Sequence, residues 1–559
     1  MAAPAWYRDA IIYQLHVKTF ADANGDGLGD FDGLIERLPY LSRLGVTCVW
    51  LLPFYVSPLR DDGYDVAHYE RVDPRYGSLK SFSRFVDAAH AAGIRVIVDL
   101  VLNHTSDQHP WFQASRRAPA GSAKRNFYVW SATDTKYAGA RVIFRDFESS
   151  NWTWDSTADA FYWHRFFHHQ PDLNFDNPHV VRAMLKVVQF WLDRGVDGFR
   201  LDAAAHVFER EGTNCENLPE THAFLKRLRS DIDGRYRDRI LLAEANQAGD
   251  ARPYFGDGDE CHMAFHFPLM PRLFLALEQE RAAPIVDIIA RTAEVPAGCQ
   301  WALFLRNHDE LTLSAVTADE REVLLNAYAP DPRMRLNKGI RRRLAPLMGN
   351  DRARLDLAHA LLLALPGTPV LYYGDEIGMG DNVALGDREG LRTPMQWSDA
   401  ANGGFSRAAQ DRLVSPLIDD DEFGYPTVNV ERQFRDEGSL LNRIVRLVAV
   451  RRRHAVFGRG TTEFLLTDNP RVLAFVRRCE DEAIVVVANL ARTNQSVTLA
   501  WPEEVRHQPL VDLIGATAPS TLDADQQTEL APFACHWFCL EQVARRALAV
   551  ATDGHAALS

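Results

Sequence analysis

Eight short runs of β-branched and aromatic residues recur along most of the chain, and the segments between them restrict the architectures open to it. "AIIYQLHV" (10–17), "TCVWLLPF" (47–54) and "IRVIVDLV" (94–101) read as buried strands. Between them, "LIERLPYLSRLG" (34–45) and "SLKSFSRFVDAAHAAG" (78–93) carry apolar residues at helical spacing and end in glycine, a normal helix stop. The rhythm breaks from about 103 to 172, a stretch crowded with Trp, Tyr, Phe and polar residues, which reads as an irregular inserted domain. It resumes with the helical "PHVVRAMLKVVQFWLDRG" (178–195), then "VDGFRLDAA", "RILLAEAN", the weaker "CHMAFHF", "QWALFLRNHD" and "TPVLYYGDE". Eight strands alternating with helices predict an α/β chain folded as a (β/α)8 TIM barrel.

After the helical "SLLNRIVRLVAVRRRH" (439–454) the pattern changes. "TEFLL", "VLAFVRR", "AIVVVANL", "QSVTLAW" and "CHWFCL" are short alternating strands without helices, a separate antiparallel β-sandwich domain. The expected organisation is a barrel from 1–103 and 173–455, an insert at 104–172, a β domain at 456–545 and a tail at 546–559.

Composition narrows the partners. A net charge of −13 over 559 residues argues against binding nucleic acid through its phosphates. Seven cysteines, odd in number and without a CxxC pair, suggest neither a disulfide framework nor a zinc site. The N-terminus lacks a basic segment followed by an apolar run, and no apolar stretch approaches the ~20 residues of a membrane span. A cytoplasmic location, no membrane and no organic cofactor are expected, and a homo-oligomer stays open.

The chemistry lies at the strand ends, where barrels of this type place catalytic residues. Asp99, Asn103 and His104 fall in "DLVLNH", Arg200 and Asp202 in "GFRLDAA", Glu244 in "LLAEAN", and His308 and Asp309 in "LRNHDE". Charged residues are rarely buried unless paired, so these four runs should converge on one site. Any one of them alone reads equally well as a structural ion pair. A pair of carboxylates, one ionised and one protonated, performs retaining glycoside chemistry. Arg200 stands two residues before Asp202, on the same strand face, and its charge should hold Asp202 ionised as nucleophile. Glu244, flanked by Leu241, Leu242 and Ala243, is expected to be the acid/base, and Asp309 to bind hydroxyls and stabilise the cationic transition state.

Taken in order, those four runs resemble the signature regions of the alpha-amylase superfamily of retaining α-glucosidases and transglycosylases. The resemblance extends from about Trp6 to His454 and assigns Asp202, Glu244 and Asp309 the same three roles. It implies that His104, Arg200 and His308 bind the innermost glucose. By the match of "RDDGYDV", it also implies that Asp61 grips that glucose and Tyr64 stacks on it. Arg392 in "RTPMQW" resembles the partner that closes a pocket beside Asp61, and "QPDLNFDNP", with Gln170, resembles the exo-acting oligosaccharide branch. Further segments, above all "FEREGTNCENLPETH" (208–222), are similar to branch members that isomerise maltose to trehalose. Ala204, Ala205 and His206 depart from that pattern, which has bulkier residues and a tyrosine there.

The resemblance therefore implies glucosyl transfer between maltose and trehalose through a glucosyl-enzyme, with some loss to glucose. The arginine-rich stretch 326–348 is the candidate lid, an exposed basic helix being the other reading. An α-glucosidase or small amylase releasing glucose is the rival enzyme. A non-catalytic transporter partner is the rival of another class, at odds with three retained carboxylates and no membrane anchor.

Two metal sites are expected. Asn103 and Asp172 are oxygen donors at the two ends of the insert, suited to Ca2+, with a direct Asn–Asp hydrogen bond as the alternative. The resembled family adds backbone carbonyls near His206, Val207 and Glu209. "FADANGDGLGDF" (20–31) matches half an EF-hand loop, but Gly33 stands where the twelfth-position glutamate belongs, and no helix precedes it. What remains is Asp22, Asn24, Asp26, the Leu28 carbonyl and Asp30 around a glycine-rich turn. It resembles the loop that binds Ca2+ or Mg2+ after the first strand in the oligosaccharide branch, with a plain polar turn as the alternative.

Overall fold

All eight predicted runs form parallel strands: β1 Ile12–Leu15, β2 Cys48–Leu51, β3 Arg95–Val101, β4 Gly198–Asp202, β5 Ile240–Ala243, β6 Met263–Phe265, β7 Gln300–Phe304 and β8 Thr368–Tyr372. They pair in chain order, and β8 closes on β1, so the barrel is complete. The computed structural model describes residues 5–245, 251–292, 294–480, 482–503, 505, 508–515, 527–540 and 543. Barrel strands are covered on both faces, by helices outside and side chains inside, so they read as continuous apolar runs. Helix starts follow local chemistry. Ser78 makes a capping box for Leu79–Ala91, and Asn177 caps Pro178–Leu192, whose first residue is the proline that tolerates that position.

Register places the charged strand ends. Asp99 of β3 pairs with Arg200 of β4, Val101 with Asp202, and Leu242 of β5 with Arg200. Glu244, one residue past the end of β5, therefore stands level with Asp202 at the same rim.

The insert is more regular than its sequence suggests. Trp130–Ser131, Ala160–Trp163 and Trp152–Asp155 form a three-stranded antiparallel sheet over Val129, Trp152 and Trp163. Strands of two to four residues are too short to show a period. An isolated bridge between His104 and Asp172 ties the two ends of the insert together.

The C-terminal domain is the predicted sandwich. Thr461–Phe464, Val472–Cys479, Glu482–Asn489, Cys535–Leu540 and Leu510–Asp512 make one sheet, and Gln495–Val497 with Thr528–Leu530 makes the other. Alternate residues of the large sheet face opposite ways. Val472, Ala474, Val485 and Val487 meet Val497 and Leu530 between the sheets, while Leu473, Phe475, Ile484 and Val486 join the barrel's own core. Arg477, buried, donates to the Ala364 carbonyl just before β8 at 2.8 Å and pins the domain to the barrel, and Arg451 of the last barrel helix holds the carbonyls of Leu363 and Gly367 beside it. All seven cysteines are free. No described helix is long and apolar enough to cross a membrane, and the predicted tail at 546–559 lies outside the described residues.

Candidate active site

Arg200 is the hub that brings the strand ends together. Its Nη1 lies 2.6 Å from Asp202 Oδ1 and 2.5 Å from Asp99 Oδ1, and its Nη2 lies 2.7 Å from Glu244 Oε2. Asp99 is fully buried inside the barrel, where Trp50 Nε1 donates to its other oxygen at 2.9 Å. Ala203, directly after Asp202, is left-handed at φ 50°. That turn lets its N–H donate to Glu244 Oε2 at 3.1 Å, local strain held at the rim where the carboxylates meet.

The carboxylates open on a pocket whose wall includes Asp61, Tyr64, His104, Asp202, Glu244 and Asp309. Phe144 and Phe166 of the insert, Phe267 after β6, and Arg388 complete it. Arg200, His308 and Gln170 lie in the layer beneath. His308 Nε2 sits 2.7 Å from the Tyr64 hydroxyl and 3.1 Å from Asp309 Oδ2, and Gln170 donates to Asp61 Oδ2 at 2.8 Å. Among the described residues, His104 Nε2 is buried without a hydrogen-bond partner, although His104 lies on the wall.

Two expectations need correction. The residue beside Asp61 is Arg388, not Arg392: Arg388 Nη2 lies 2.8 Å from Asp61 Oδ1. Arg392 reaches Asp62 at 2.9 Å and Asp309 at 3.1 Å instead. The two arginines are one helical turn apart in sequence, so spacing alone could not choose between them. Nor is the setting of Glu244 the apolar one its neighbours in sequence imply. On a strand those leucines flank it along the chain, whereas its carboxylate turns to Arg200 and the Ala203 amide.

The electrostatics separate the carboxylates. Burial, helped by Glu244 and Asp99, drives Asp202 well above the usual carboxylate range despite Arg200. Arg200, 2.6 Å from Asp202, is the charge that opposes this rise and favours the ionised form, although it is shared with Asp99 and Glu244. Asp309 goes the other way: burial opposes it, but His308, Arg388 and Arg392 hold it below its ordinary value. Burial lifts Asp61 to about 6 against the pull of Arg388.

The candidate lid docks beside the site. Arg335–Leu336 and Gly339–Ile340 form a hairpin that pairs with Leu311–Thr312, two residues past Asp309. At its tip the left-handed Asn337 donates its N–H to Asp146 of the insert at 2.8 Å and its Nδ2 to Glu310 at 3.1 Å. The exposed-helix reading fails, since the helix Ala318–Tyr328 ends before the arginines and Arg343 is fully buried.

This arrangement of strand ends is matched by a family model. The model of the alpha amylase catalytic domain matches residues 14–329 and 336–460, and that of the maltogenic amylase C-terminal domain matches 462–537. The chain belongs to the alpha-amylase family. Among curated relatives, a trehalose synthase/amylase of Mycobacterium tuberculosis is 55% identical over 92% of this chain and 86% of its own length. A trehalose synthase of Pimelobacter is 52% identical over 96% of each. A probable alpha-glucosidase of Rhizobium meliloti is 33% identical over 90% and 92%. Among solved structures, the α-glucosyl transfer enzyme XgtA has a TM-score of 0.79 at 29% identity, covering 96% of this chain and all of that one.

The alpha-amylase resemblance implied a cation between barrel and insert, and the side chains there fit one. Asn103 Oδ1, Asp172 Oδ2 and Glu209 Oε1 are buried oxygens without partners among the described residues. Burial pushes Asp172 up to about 8, and burial with the nearby Asp172 charge raises Glu209. No three His, Cys, Asp or Glu side chains among the described residues form a metal-holding group, so a cation would depend on the Asn103 amide and on backbone carbonyls. The loop at 22–30 differs. Asp22, Asn24, Asp26 and Asp30 each accept a backbone N–H of the loop, and Asp30 also caps the helix Phe31–Glu36. It holds itself as a turn.

Sequence reasoning passed over Phe144, Glu310 and Arg388. Arg388 had a signal, a second arginine four residues before Arg392. Phe144 had none, lying in the aperiodic insert, where its ring sits 5.1 Å beneath Arg388. His206, the departure from the expected tyrosine, lies on the pocket wall edge-on to Phe166 at 5.7 Å.

Proposed function

We propose that the protein interconverts maltose and trehalose by intramolecular glucosyl transfer through a covalent glucosyl-enzyme, with some loss to glucose. The observation that carries this is the single Arg200 guanidinium touching both Asp202 and Glu244 in a pocket backed by the Asp61–Arg388 pair. One shared guanidinium favours the short ~5–5.5 Å carboxylate spacing of a retaining pair over the ~6.5–9.5 Å of an inverting one. The relatives named trehalose synthase, at 52–56% identity against 33% for the alpha-glucosidase, support the isomerising reading over the hydrolytic one.

In this reading the innermost glucose of maltose sits against Asp61, Tyr64 and His104. Asp202 attacks the anomeric carbon while Glu244 protonates the leaving glucose. The cation that develops at the ring is countered by Asp309, kept ionised by its arginines. The freed glucose turns within the pocket and offers its anomeric hydroxyl. Glu244, now a base, takes that proton while the hydroxyl oxygen displaces the Asp202 carboxylate from the anomeric carbon, and the α,α-1,1 bond forms as the ester breaks. Water competes at this step, and the hairpin tip joining Asp146 to Glu310 bars its entry.

Asn103, Asp172 and Glu209, with carbonyls near His206 and Val207, would hold one Ca2+ that clamps the insert, and Phe144 and Phe166 with it, to the barrel. A second Ca2+ or Mg2+ would add to, rather than form, the self-held turn of the loop at 22–30. Its side-chain oxygens each keep a lone pair beyond the N–H they accept.

The test is incubation with maltose, resolving trehalose from glucose by chromatography. Trehalose as the main product is expected. Glucose accumulating in its place would establish the α-glucosidase reading.

A further inference from the structure

The paired aspartates of "RDDGYDV" divide the work between two arginines. Asp61 faces the pocket and holds Arg388; Asp62 faces away from it and holds Arg392. Both arginines then converge on one atom: Arg388 Nη1 and Arg392 Nη2 each lie 3.1 Å from Asp309 Oδ1. Arg392 also donates from Nε to the His308 carbonyl at 3.0 Å, so it fixes the backbone that presents Asp309.

Asp62 is built for this place. It is 4% exposed and left-handed at φ 52°, a conformation an aspartate adopts at a cost and that surrounding contacts must hold. The contacts are cationic or polar on every side. Lys18 Nζ bonds its Oδ1, His16 Nε2 stands 3.2 Å from Oδ2, and Arg392 Nη1 takes Oδ2 as well. Glu389 adds a second, looser negative charge, 3.6 Å from Lys18 and 3.8 Å from Arg392. Lys18 and Arg392 are themselves nearly fully buried, so without Asp62 Lys18 would keep only the looser Glu389, and Arg392 would lose one of the two close carboxylates that hold it.

We propose that Asp62 is a positioning residue for the glucosyl transfer, acting through Arg392 to fix where Asp309 stands, with Lys18 balancing its charge. Arg392 takes one fixed geometry because its two ends are held by carboxylates in a planar fork. Asp62 at one end sets the angle from which the guanidinium meets Asp309 at the other. Small displacements of such a group matter, because a shift of about 1 Å can cost ~10²-fold in rate. The proposal rests on the reaction given above for its substrate, but not for its geometry.

The test is a double-mutant cycle on the full chain. Asp62→Asn, and the charge-balanced Lys18→Met/Asp62→Asn, are each made in the wild type and in the Arg392→Ala background. Trehalose formation from maltose and hydrolysis of 4-nitrophenyl α-glucoside are both followed, with melting temperature as the check on folding. Both variants should lose about 10-fold or more in kcat, with KM changed far less. In the Arg392→Ala background neither should lose anything further, because the route is already cut.

Losses that multiply in that background would overturn the proposal. So would a charge-balanced variant that keeps kcat within about 2-fold, or one that no longer folds, since the cluster would then be structural. A wild type that makes no trehalose but hydrolyses the aryl glucoside would refute the maltose reading and leave the cycle intact as a test of Asp62.

Discussion

At the residue scale, the site is a set of carboxylates kept different from one another by which arginine each one meets. Asp202 and Glu244 share Arg200, while Asp309 meets both Arg388 and Arg392, which it shares with Asp61 and Asp62. Replacing Asp202 by Ala or Glu244 by Gln should lower maltose conversion by at least ~10³-fold with the fold intact, measured as initial rate and by circular dichroism. Asp61 gives a pH signature. Burial raises it to about 6, so it is ionised above that pH and protonated below it. A protonated Asp61 loses Arg388 and its acceptor role toward sugar hydroxyls, so kcat/KM should fall as pH drops through about 6. Asp99 lies in the same range, also near 6, but is enclosed in the barrel. Asp61→Asn should therefore remove the acid limb, and its persistence in that variant would assign the limb elsewhere. The convergence of Asp202, Glu244 and Asp309 on one pocket was legible in the sequence because strand ends force charge into places an apolar core rejects. The partner of Asp61 was not, because Arg388 and Arg392 differ only in how a loop folds.

At the scale of elements, the strands were legible and the small pieces that close the site were not. β1 to β8 carry apolar runs because both faces are covered, a signal that survives in a single sequence. The sheet of the insert and the hairpin at Arg335–Ile340 are built from strands of two to four residues, below any readable period. Yet the hairpin tip ties the insert to the pocket wall, from Asp146 through Asn337 to Glu310. Asp146→Ala removes the acceptor for the tip without touching the pocket wall. It should raise the share of glucose among products about 2-fold or more, with maltose consumption little changed, as read by product chromatography. An unchanged product ratio would show that the tip does not limit water entry.

At the scale of the whole molecule, the barrel and the insert frame the pocket, and the β domain is pinned to the barrel just before β8. The insert supplies Phe144 and Phe166 to the wall, and its two ends meet at His104 and Asp172, beside the orphaned oxygens. If one Ca2+ clamps that junction, chelation with EGTA should lower the melting temperature by roughly 5 °C, restored by added Ca2+. Asn103→Ala should remove most of the response. That junction was readable as oxygen donors at either end of the insert, but the Glu209 carboxylate was not, because it reaches the cluster only through the turn after β4.

In the proposed reaction, glucose freed from maltose stays in the pocket and is rejoined there. Maltose incubated with a large excess of 13C-labelled glucose, followed by NMR, tests it directly. The reaction proposed above gives trehalose that is almost free of label from the first minutes. Label entering trehalose in proportion to the free glucose pool would contradict it, and so would glucose rising with no trehalose at all.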